Sequence, residues 1–119
     1  MNLDYLLFDS TDEADGSCSF DALASVLPER MPALCDEVAG VLGWAHRSFG
    51  APVAPEDGGA WDFHLQATAE HGEPLEMDFD CAVNQVVMPP ARGRVTVALT
   101  VSGSRTFASA FREEFVESQ

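Results

Sequence analysis

The sequence predicts an α+β two-layer sandwich: a mostly antiparallel sheet of five to six strands, ordered β-β-α-β-β-β-β-α, with two helices packed on one face. Three observations lead there. Apolar residues between positions 61 and 102 mostly recur with a period of two, those between 31 and 49 recur at helical spacing, and Phe107, Phe111 and Phe115 fall at every fourth position. Each element therefore has one apolar side, and a helical layer laid on one side of a sheet buries all of them.

Taken in order, residues 3–9 read as a first strand and residues 18–26 as a second, joined through an acidic polar loop into a hairpin. In the second strand Cys18, Phe20, Ala22, Ala24 and Val26 alternate with Ser19, Asp21, Leu23 and Ser25, the pattern of a strand with one wet face, although residues 20–25 also suit a short helix. Pro28 and Pro32 punctuate the start of the clearest element, a helix running to Ser48. Met31, Leu34, Cys35, Val38, Val41, Leu42, Ala45 and Phe49 form its stripe, Asp36 and Glu37 lie toward its start, and Arg47 lies in its last turn as the helix dipole prefers. Gly50 is the expected stop.

Residues 51–59 hold two prolines and two glycines and make a surface connector. Beyond it the period changes to two. Trp61, Phe63, Leu65, Ala67 and Ala69 share one face, and after a turn at residues 71–74 Leu75, Met77 and Phe79 resume it. Residues 80–84 form a second turn, 85–88 a short strand, 89–93 a third turn and 94–102 the most convincing strand, so that a four-stranded meander is expected. Ser104 is a candidate N-cap for a final helix ending near Val116.

Composition bounds the function. A chain of 119 residues with 46% hydrophobic residues has enough apolar surface to fold as one domain spanning 1–119, despite a formal charge of −14. That charge disfavours nucleic acid and anionic membranes, leaving a cationic partner, a metal ion or solubility itself. All six basic residues are arginines, which fits a GC-rich genome and supplies forked donors suited to carboxylates. The first ten residues fit neither a secretory signal nor a membrane span, and a cytoplasmic setting is expected. Cys18, Cys35 and Cys81 form no C-x-x-C and read as small buried hydrophobes, and no cofactor is expected.

The richest polar constellation is the hairpin from 61 to 80. If Ala69 pairs with Leu75, Gln66 faces Asp78 and His64 faces Asp80, and Asp62, His64, Glu76, Asp78 and Asp80 share one surface. Such a set suits a divalent cation or a histidine oriented by a carboxylate, yet strand carboxylates do not converge on a point, and the wet face of a half-covered sheet looks the same. A weaker candidate is Ser104 with Arg105, where a strand runs into a helix start that suits an anion, as an ordinary capped turn also explains. Arg92 and Arg94 flank a basic turn expected to pair with acidic loops, and His46 and His71 are expected at a helix end and an exposed turn.

The leading expectation is a non-enzymatic binding or assembly protein acting through the acidic sheet face or an edge. Its partner would be a basic protein, as for an inhibitor or immunity protein, or a second copy of the chain. The competing expectation is a metal-dependent or acid/base hydrolase using His64 with Asp62, Asp78 or Asp80. The acids are unevenly placed: residues 1–40 carry nine against one arginine, 41–80 eight against one, and 81–119 three against four. Whether the first two groups meet on one surface depends on the fold.

Overall fold

The computed structural model describes residues 3–116. Among them, β1 (Asp9–Asp12), β2 (Cys18–Val26), α1 (Met31–Phe49), β3 (Trp61–Thr68), β4 (Pro74–Leu75), β5 (Asp78–Asp80), β6 (Gln85–Val87), β7 (Val95–Gly103) and α2 (Arg105–Phe111) follow one another, with α2 continuing as a π-helix over Arg112–Val116. One five-stranded sheet has the order β1-β2-β7-β3-β4, and β5 and β6 form a separate two-stranded sheet. Every pairing is antiparallel. No helix of the described residues is long and apolar enough to cross a membrane.

The central strand is β7. All nine of its residues pair with β2 on one side, and eight residues of β3 pair with it on the other. Its odd-numbered residues are buried and its even-numbered ones only half so, because successive side chains of a strand alternate between the sheet's faces. The helices cover the odd face. Phe20 of β2 stacks on Phe111 at 4.3 Å and Trp61 of β3 on Phe107 at 5.8 Å. Trp44 of α1 meets Phe107, Phe111 and Phe115, which locks the two helices together. Gly50 ends α1 at φ 83°, and the Trp61 indole N–H donates to its carbonyl at 2.9 Å, tying the helix end to the sheet.

Three expectations need correction. The first strand spans residues 9–12 instead of 3–9. Leu3 and Leu6 are buried while Leu7 is 68% exposed, a spacing of three that no strand can satisfy. The segment is held instead by Glu37, whose buried carboxylate accepts the backbone N–H groups of Asp4, Tyr5 and Leu6 at 2.9 to 3.2 Å.

The run from 75 to 79 is not one strand either. It leaves the sheet edge after Leu75, buries Met77, and brings Phe79 to 5.5 Å from His46 of α1. Pro74 opens the edge strand β4, a place where proline is tolerated, so the departure follows from the burial of Met77 and the packing of Phe79 and not from the proline. The expected meander is corrected with it, since β7 crosses back to pair with β3 and β2 while β5 and β6 pair only with each other. Alternation along a strand tells which side a residue faces, not which strand lies next to it.

Candidate functional site

The face of the main sheet away from the helices carries the even-numbered positions of β3 and β7 and the odd-numbered ones of β1 and β2. The register lines them up in rows. One runs Asp9, Asp21, Thr100, His64, the next Thr11, Ser19, Ser102, Asp62, and on the other side comes Leu23, Ala98, Gln66. Directly opposed residues lie about 5 Å apart, so the rows form one continuous surface across four strands.

Asp21 is held by the Thr100 hydroxyl, which donates to its carboxylate at 2.6 Å, and Asp62 accepts the N–H of Phe63 at 2.9 Å. His64 is exposed between Thr100 and the edge of the sheet. Leu23, 70% exposed, sits beside Ala98 as an apolar contact next to these acids. At the far end Arg94 donates to the Ser25 carbonyl at 3.1 Å.

The other acidic stretch behaves differently. Asp12 faces the helical side, where it bonds the Arg112 guanidinium, and Arg112 also reaches the Cys18 sulfur at 3.3 Å and lies 5.5 Å from the centre of the Phe20 ring. The Cys18 thiol and the Arg112 guanidinium hold the Asp12 carboxyl below the ordinary carboxylate range. Ser17 does the same for Asp15, through its hydroxyl at 2.6 Å and its N–H at 2.9 Å, while Arg105 donates to the Asp15 carbonyl at 3.4 Å.

The five hairpin residues separate into three places. Asp62 and His64 stay together on the open face of β3. Glu76 and Asp78 line a groove of about 380 Å³ with Gln66, at the edge where β4 gives way to β5. Asp80 ends β5 and caps the following turn by accepting the Ala82 N–H at 3.0 Å. The observed register pairs Ala67 with Leu75, so the expected pairing of Ala69 with Leu75 is off by two residues. Gln66 opposite Asp78 and His64 opposite Asp80 are likewise corrected, because β5 pairs with β6 and not with β3. Among the described residues, no group of three or more His, Cys, Asp or Glu side chains is placed to hold a metal ion.

Ser104 and Arg105 are both engaged. The Ser104 hydroxyl accepts the Phe107 N–H at 3.3 Å as the expected N-cap, and the Arg105 guanidinium packs against Gly16 in the acidic loop. His71 lies exposed in its turn, and His46 is half-buried, its ring 5.3 Å from Trp61. Cys18 is buried, Cys35 half-buried and Cys81 exposed, so the expectation of a buried hydrophobe fits the first and fails for the last.

Sequence reasoning missed Asp21, Thr100 and Leu23 as partners of Asp62 and His64. Each was on the wet face of its own strand, but only the strand order unites them. No protein-family model, curated protein or solved structure matches the chain, so its function is read from the geometry of its own surface.

Proposed function

We propose that the protein is a binding module that docks a basic partner protein on the open face of the five-stranded sheet, as an acidic inhibitor or immunity-type protein does. One observation carries this reading. Acids from both acidic stretches, Asp9 and Asp21 from the first and Asp62 from the second, stand in adjacent rows of a face that the helices leave uncovered, with the exposed Leu23 at their flank beside Asp21. An exposed apolar side chain beside charged groups suits a protein interface, and complementary fields speed and orient the encounter.

Charge also argues about the partner's identity. A two-fold pairing of this face with itself would bring the same patch onto its copy, setting Asp9, Asp21 and Asp62 close to the same acids. A cationic surface has no such cost. Arg105 and Arg112 are turned to the helical side, where they bond Asp15 in the loop and Asp12 at the end of β1.

The test is capture of basic proteins by the immobilised chain, compared across two sets of charge reversals. Reversing Asp21 and Asp62 to lysine is expected to abolish capture, whereas reversing Glu76, Asp78 and Asp80 at the sheet edge leaves most of it. Capture that survives the first set refutes the reading, and loss only with the second moves the site to the edge groove.

A further inference from the structure

On the helical side, away from the open sheet face, a groove of about 570 Å³ runs between the first half of α1 and the segment that follows β5. Its size is in the range of small-molecule sites. Met31, Cys35 and Ala39 form one wall, Val86, Met88 and Ala91 the other.

The walls are set before any ligand arrives. Pro28 and Pro32 fix one rim and Pro89 and Pro90 the other, each with its φ locked by the ring. Asn84, at φ 53°, packs its carboxamide so close to Gly43 of α1 that even a methyl group there would collide with it. The hairpin is thereby seated on the helix, and methionines on facing walls supply adaptable apolar surface. Asp36 is the one formally charged side chain among the lining residues, in a chain of net charge −14. An anion is repelled from such a place and a cation drawn to it.

We propose that this groove binds a small apolar molecule bearing one positive charge, its hydrocarbon part against Met31, Cys35 and Met88 and its ammonium group at Asp36. Cys35 is the built-in reporter. It is half-buried, and burial together with the neighbouring Asp36 pushes its thiol up, so its alkylation is slow and sensitive to cover. Cys81 is exposed and outside the groove, and serves as the internal reference.

The probe is 1-naphthylmethylamine, with 1-naphthylmethanol and 1-naphthoate as its neutral and anionic counterparts, added to the full chain. The amine is expected to slow iodoacetamide labelling of Cys35 relative to Cys81, to move the amide signals of Cys35, Ala39 and Met88, and to bind better than the alcohol, with the acid weakest. Asp36→Asn should weaken the amine about fivefold, as loss of an exposed ion pair does, and leave the alcohol unchanged. Cys35→Trp should fill the groove and remove the amide shifts. If that variant does not fold, the Asp36→Asn comparison and the labelling ratio in the native chain decide the matter.

Equal response to all three probes, or none at millimolar amine, overturns the proposal. Cys35 protection that grows with protein concentration in the absence of amine also overturns it, since a second copy then covers the groove.

Discussion

The two faces of the central sheet are built from the same three long strands and do opposite work. On the helical side Phe20, Trp61, Val97, Leu99 and Val101 are buried under α1 and α2 in one continuous core. On the other side Asp21, Leu23 and His64 are exposed and Asp62 and Thr100 half-buried, with few bonds to the rest of the molecule. Stability therefore resides on one face, and the other carries little of that demand. The same division separates the acids. Asp12 and Asp15 are drawn into bonds with Arg112 and Ser17, whereas Asp9, Asp21 and Asp62 share the open face.

The sharpest way to break this contrast is to truncate the core. Phe111 touches the rings of Phe8, Phe20, Trp44, Phe107 and Phe115, so Phe111→Ala should cost about 3–5 kcal/mol in denaturant unfolding. Next comes Glu37. Removing its carboxylate strands the N–H groups of Asp4, Tyr5 and Leu6, and Glu37→Ala should cost about 3 kcal/mol and speed amide exchange at Tyr5 and Leu6. Glu37→Gln, which keeps one carbonyl acceptor, should lose less. Ser104→Ala removes the cap of α2 and should cost about 1 kcal/mol by the same assay.

These three predictions differ in how far the sequence foretold them. Ser104 was legible because a cap is a local feature, and so were β2 and β7, whose alternation needs no partner to be seen. The role of Glu37 was half legible. It stands three residues after Leu34 and four before Val41, inside the helix's apolar arc, and a carboxylate there must find donors. That those donors are the amides of residues 4–6 is a contact across more than thirty residues, which no local period reports.

The strand order was hidden for the same reason. Period two placed Asp62 and His64 on a wet face correctly, but bringing Asp78 and Asp80 beside them required the chain to stay in the sheet past Leu75. Burying Met77 and packing Phe79 against His46 took it elsewhere. The open face thus carries Asp62 and His64 of the five hairpin residues, beside neighbours from β2 and β7.

Acid sharpens the contrast between the two sets of acids. The folded pKa values of Asp12 and Asp15 lie below their ordinary 3.8, so the stability they contribute is present above that pH and is lost as pH falls through the lowered values. In thermal melts collected below pH 4, Asp12→Asn should flatten the fall in Tm with pH. Smallest of all should be the effect of the open face on folding. Leu23→Ala, or lysine at Asp62, should shift stability by no more than about 0.5 kcal/mol. A larger loss would mean that this face helps to hold the fold.

The proposed binding surface is the open face of the sheet. Its most direct test is an amide-shift titration of the full chain with an arginine-rich peptide at low ionic strength, repeated with added salt. Shifts are expected to concentrate at Asp21, Leu23, Asp62, His64, Ala98 and Thr100 and to fade as salt screens the charges. Shifts confined to the loop around Asp15 or to Asp78 and Asp80, with the strands of the open face unmoved, would contradict the proposal.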